Sequence, residues 1–243
     1  MRFIGTLFQA IIGLAVLGLA WWGAVNLAGV VSSAFPGPIE VGNKALELLG
    51  ADAFQQHAWA SLGVVLYALL PGLAVGILLG AAAGGSTGAR WLFGPFVIVV
   101  AAAPLVAIYP LLIMWFGAGI TPKIVFVFLV TASAVANTIM ARWPSYSDLK
   151  IVEPEGPAPV EWPPRRPGRI CAVMGGLRLG VVLGVAALVI SELVGSNAGL
   201  GYFVELSGSL FNAAEAMAAA LVILLPTIGI AVFLQAIEEQ LAG

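Results

Sequence analysis

Charge is what this sequence has least of. Only 9% of its 243 residues are charged, against 61% hydrophobic, and the mean hydropathy is +1.06. A soluble domain carries about 25% charged residues. This chain cannot clothe a water-facing surface, which excludes a soluble enzyme and a disordered regulator. The net charge of −2 gives no field to attract nucleic acid, which is excluded as a partner. One cysteine, Cys171, and one histidine, His57, leave neither a disulfide framework nor a zinc cluster. No phosphate-cradling Gly-x-x-x-x-Gly-Lys-Ser/Thr loop is present, so any ATP hydrolysis must come from a partner. Paired intramembrane carboxylates of the proton-relay kind are also missing. No catalytic residue, cofactor or metal site is expected.

What the chain has instead is long apolar runs. A bilayer core about 30 Å thick needs about 20 apolar residues per helix. Six runs meet this, over residues 3–31, 59–83, 93–115, 120–140, 171–194 and 213–237. They are long and continuous, unlike the short alternating segments of a β-barrel. The fold class expected is all-α: a polytopic membrane protein of six transmembrane helices. The first run is far longer than a cleavable signal and reads as a retained anchor. The expected organisation is an N-terminal helix (1–34), an outer amphipathic segment (35–58), helices two to four (59–141), an inner proline-rich loop (142–169) and helices five and six (170–243). With the N-terminus inside, the inner segments hold Arg2, Arg90, Arg142, Lys150, Arg165, Arg166, Arg169 and Arg178. The outer ones hold only Lys44 and Lys123. This bias places both termini in the cytoplasm.

The connections differ in chemistry. Residues 39–49 set Ile39, Val41, Ala45, Leu46, Leu48 and Leu49 between Glu40, Lys44 and Glu47, a pattern for a short amphipathic surface helix. Residues 195–212 hold Gly195, Gly199, Gly201 and Gly208, which signals tight turns and close backbone approach. The inner loop carries Pro144, Pro154, Pro157, Pro159, Pro163, Pro164 and Pro167. Prolines this dense block helix propagation and give an extended, polyproline-like loop. Gly72, Gly76 and Gly80 form one small-residue ridge, and Gly176, Gly180 and Gly184 another. Either suits the internal core or a dimer interface.

Several pieces, in order, resemble one family. Phe35-Pro36-Gly37-Pro38 is followed by His57-Ala58-Trp59-Ala60-Ser61-Leu62. Ala103-Pro104-Leu105 runs on through Tyr109-Pro110-Leu111 to Trp115-Phe116-Gly117-Ala118-Gly119. Gly176-Leu177-Arg178-Leu179-Gly180 leads to Ser191-Glu192-Leu193-Val194-Gly195 and on to Gly199-Leu200-Gly201. Together, over roughly residues 35 to 240, they resemble the nitrate/sulfonate/taurine-type permeases of ABC importers. The resemblance implies the type I importer permease fold, a separate ATPase subunit, a periplasmic solute-binding protein, and a second permease subunit in a homo- or heterodimer. It also implies a bacterial inner membrane, and a small anion or organic nutrient as cargo. The family's inner loop resembles a short docking helix with a Glu-Ala-Ala core. Here the matching stretch, from Leu149, Lys150 and Glu153 through Pro154, Pro157 and Pro159, lacks that core. The C-terminal Glu238-Glu239-Gln240 also departs from the family's basic ending. Two functions stay open: an importer permease driven by an ATPase, and a diverged permease serving as accessory subunit of another membrane complex.

The candidate residues follow from this. Partner contact is expected at Leu149, Lys150, Glu153, Arg165, Arg166 and Arg169, the three arginines meeting an acidic surface or anionic membrane lipid. Pathway candidates are Pro104, Tyr109, Pro110, Asn137 and Glu192. Each also has a plainer reading. The prolines bend a packed helix, Asn137 bonds a neighbouring helix, and Glu192 stands hydrated at the outer interface. Arg178 meets a headgroup or acidic partner, or snorkels to the inner surface. His57 borders the outer surface. The tryptophans at span ends form an interfacial belt.

Overall fold

A computed structural model describes residues 2–26, 35–102, 105–143 and 168–242. The regular elements are helices: α1 (Arg2–Asn26), α2 (Pro38–Leu49), α3 (Asp52–Val64), α4 (Leu70–Gly85), α5 (Thr87–Ala102), α6 (Leu105–Phe116), α7 (Ile120–Arg142), α8 (Arg169–Leu193), α9 (Leu200–Ser209) and α10 (Ala213–Ala242). One π-helical turn, Val65–Leu69, joins α3 to α4 into a single apolar rod. Its cause is local. Pro71 has no N–H to offer, and the Leu70 N–H reaches back to the Val65 carbonyl, one residue further than in an α-helix.

Among the described residues five helical segments are long and apolar enough to cross a bilayer. The third expected span is no single straight helix: its residues are shared between α5 and α6, whose axes differ by 99°. If that pair forms one bent span, the total is six. The second span begins earlier than expected, because Asp52 opens α3 with a carboxylate in its first turn. The 35–58 segment does hold a short helix, α2. Its Val41 and Leu48 are buried with Phe54, Ala218 and Ala219, while Ile39, Leu46 and Leu49 are exposed.

At the centre lies α7. Its Thr131, Val135 and Ile139 stand four residues apart on one face, and both glycine ridges close on them. A Cβ on Gly72, Gly76 or Gly80 would come within 2.9, 2.6 or 2.8 Å of the Cβ of Thr131, Val135 or Ile139 respectively. On the other side Gly176 faces Ile139, Gly180 faces Val135 and Gly184 faces Thr131, again at 2.3 to 2.6 Å from a hypothetical Cβ. Both ridges therefore serve the core of one subunit. In lipid, where apolar side chains gain little by leaving one apolar phase for another, such close backbone approach is what holds helices together.

The stretch after α8, read from its glycines as a turn-rich loop, holds α9. Gly195 (φ 68°) and Gly199 (φ 121°) make the turns that reverse the chain. The far end of α9 closes with Asn212 N–H to the Ser207 carbonyl (2.9 Å) and Phe211 N–H to the Gly208 carbonyl (3.0 Å). The left-handed residue of that closure, normally glycine, is Phe211 (φ 59°). The conformation costs a non-glycine residue about 1–2 kcal/mol. Asn212 then caps α10 by trading hydrogen bonds with Glu215.

Candidate functional site

Charged side chains are scarce, and two gatherings of them stand at opposite ends of α7 and α8. One gathering surrounds Glu192, in the last turn of α8. Its carboxylate is 1% exposed. It accepts hydrogen bonds from the Ser61 hydroxyl of α3 (2.7 Å) and from the Gly201 N–H (2.9 Å). Ser61 accepts in turn from the Leu200 N–H (2.8 Å), and the His57 Nδ1 accepts from the Gly199 N–H (3.3 Å). The first N–H groups of α9 are thus capped by side chains of α3 and α8, and an anionic group at this helix start is favoured by the helix dipole. A Cβ on Gly199 would sit 2.2 Å from the Glu192 carboxyl carbon, so only glycine lets the chain pass so close.

Lys123, in the first turn of α7, brings the opposite charge. It is 8% exposed and donates to the Ser196 Oγ (2.6 Å) and the Ala198 carbonyl (2.9 Å). Glu192 and Lys123 do not touch as an ion pair but interact across the turn between them. Two opposite charges buried at one level, each hydrogen-bonded, avoid the cost of a lone buried ion. Lys123, Ala60 and the 195–198 turn line a cleft of about 240 Å³.

The other gathering is at the opposite end. Glu238 of α10 pairs with Arg142, the last residue of α7, and with Arg178 of α8 (3.7 Å). Thr6 of α1 donates to Glu239. Trp143 lies directly on Gly84 of α4, with the Arg169 guanidinium 5.6 Å from its ring. Glu238 is therefore the counter-ion that ties α7 and α8 to α10, and Glu239 joins α1 to α10 by accepting from the Thr6 hydroxyl.

The pathway and partner candidates fall as follows. Glu192 is buried, which corrects its reading as a hydrated interfacial group. Tyr109 is also buried, with its hydroxyl donating to the Ser191 carbonyl (2.8 Å) and its ring 5.0 Å from Phe126. Pro110 lies inside α6 and is exposed; Asn137 is half-buried and makes no hydrogen bond among the described residues. Pro104, Leu149, Lys150, Glu153, Arg165 and Arg166 lie outside the described residues. Arg169 is exposed at the start of α8. Arg178 takes an acidic partner, but one within its own chain. The sequence alone does not assign these contacts to Ser61, Lys123 and Glu238. A lone lysine in the first turn of an apolar helix was the one signal available.

No protein-family model matches the chain. It is 30% identical to the taurine transport system permease protein TauC of Escherichia coli (strain K12), over 94% of this chain and 86% of that one. The chain belongs to the nitrate/sulfonate/taurine-type permease family of ABC importers. It is also similar to the riboflavin transport system permease protein RibX of Chloroflexus aurantiacus, 27% identical over 82% of this chain and 76% of that one. The putative aliphatic sulfonates transport permease protein SsuC of Bacillus subtilis is 26% identical over 76% and 69%. This permease is a multi-pass membrane protein, and such permeases work with an ATPase and a substrate-binding partner in general.

Proposed function

We propose that this permease is one of two membrane subunits that import a small sulfonate or similar polar organic solute across a bacterial inner membrane. The observation that carries this is the likeness to a taurine permease along 94% of the chain. A second sulfonate permease among the relatives supports the substrate class. In this reading the Arg142 end faces the cytoplasm, with both termini, and the Glu192 end faces outward. The ATPase docks on 142–169 through Leu149, Lys150, Glu153, Arg165, Arg166 and Arg169. Trp143 and Arg169, at the two ends of that segment, stand against each other on α4 and α8. Motion of the segment therefore reaches α4, α7, α8 and, through Glu238, α10. In this reading the segment's basic side chains carry the contact in place of a Glu-Ala-Ala docking motif, which its sequence lacks.

The test is uptake of radiolabelled taurine by proteoliposomes holding the permease, its ATPase and its binding protein. ATP-dependent accumulation is expected. If taurine and other small sulfonates stay out while a solute with no such polar headgroup enters, the substrate class is wrong.

A further inference from the structure

The cleft beside Lys123 is shaped and charged for a small anion. Of the residues that line it, Lys123 alone carries a charge, and its side chain is almost wholly buried. An ammonium has three N–H donors. Ser196 and Ala198 take two of them, and the third has no partner among the described residues. Glu192 does not supply it: that carboxylate is held by Ser61 and Gly201 and forms no part of the cleft wall. A buried cation left one donor short costs free energy until a polar group fills the position.

The opposite wall adds donors of the same sign. Gly119, Ile120 and Lys123 line the cleft and open α7, a helix of 23 residues. No side chain caps this start, so its first N–H groups and the positive end of the helix dipole are offered to the cleft. Gly119 leaves the approach clear, since a Cβ there would meet no atom within 4 Å. Asn197, exposed on the 195–198 turn, also lines the cleft and brings an amide donor. The volume of about 240 Å³ lies below the roughly 300–1,000 Å³ of drug-sized sites, which suits a compact headgroup on a short chain.

We propose that this cleft is a solute subsite, in which the sulfonate group of the cargo accepts hydrogen bonds from Lys123, Asn197 and the first N–H groups of α7. The proposal rests on the sulfonate-importer reading and names the residues that recognise that cargo. Glu192 offsets part of the lysine's charge across the turn, so the anion is held weakly enough to leave again. A lipid phosphate carries the same charge and oxygens, and the test separates the two sources.

The test is saturation-transfer NMR of taurine with the complex purified from native membranes, in phosphatidylcholine nanodiscs without solute-binding protein. Saturable transfer to the taurine methylenes is expected, displaced by methanesulfonate and not by ethylamine. Asn197→Asp sets a carboxylate in the cleft and should raise the half-saturating concentration about tenfold or more, whereas Asn197→Gln should stay within about threefold. Gly119→Leu fills the cleft from its open side, on extended backbone that accepts a side chain (φ 166°). It should weaken binding as Asn197→Asp does, with the melting temperature retained. Unchanged half-saturation in both variants overturns the subsite, as does displacement by ethylamine in place of methanesulfonate. Loss of taurine binding when phosphatidylglycerol is added to the nanodisc assigns the cleft to a lipid headgroup and overturns the solute. A complex that accumulates taurine in proteoliposomes but shows no saturable transfer overturns the subsite and leaves the importer reading standing. A complex that neither accumulates nor binds taurine overturns both.

Discussion

Glu192→Ala should unfold this permease more readily than any other single polar change. The substitution leaves the Ser61 hydroxyl and the Gly201 N–H without their buried acceptor and Lys123 without its opposing charge. Removing one member of a buried, charged and hydrogen-bonded set costs about 3–5 kcal/mol. For a chain of this size that is a fall in melting temperature on the order of 10 °C. Glu192→Gln keeps an acceptor oxygen and the side-chain shape, so the loss should be about half as large. Heating detergent-solubilised protein and following the folded peak by fluorescence-detected size exclusion checks both. Equal melting points for wild type and Glu192→Ala would show that the carboxylate is not what holds α9 against α3 and α8.

The second large effect lies in the glycine ridges. In Gly76→Leu the first added atom alone would stand 2.6 Å from the Val135 Cβ and 2.8 Å from the Ala132 carbonyl oxygen. The carbonyl is backbone and cannot turn aside, so α4 and α7 must separate. Overpacking commonly costs about 1–3 kcal/mol and more where backbone must move. Gly76→Leu should sit at or above the top of that range, and folded yield should collapse. Gly229→Leu is the internal control, because nothing lies within 4 Å of a Cβ there. Helix propensity even favours that change by up to about 1 kcal/mol. Comparable yields for the two variants would contradict the packing described for α4 and α7.

Much of this was legible in the sequence, for physical reasons. A membrane span is a local property of about 20 residues, so composition alone locates it. The glycine spacings announced close helix contact, since a four-residue repeat puts small side chains on one face. That both ridges share α7 was not legible, because a partner helix leaves no mark on the spacing. Glu192 stood out as a carboxylate in an apolar run, but its partners did not. Ser61 is 131 residues away in the chain, and only the folded chain joins them. The hydrated reading failed because the 195–199 turn folds back over the carboxylate. The closure at Phe211 was invisible because its left-handed backbone falls where sequence statistics expect glycine.

As proposed, this chain is a coupled importer subunit, although Pro154, Pro157 and Pro159 stand where its relatives' docking motif would fall. Gentle detergent purification from native membranes, followed by mass spectrometry of intact complexes, tests it most directly. An ATPase subunit is expected in near-stoichiometric amount, released when Arg165, Arg166 and Arg169 are replaced together by Ala. A complex of other membrane proteins, with no ATPase at any salt concentration, would contradict it and make the chain an accessory subunit built on a permease fold.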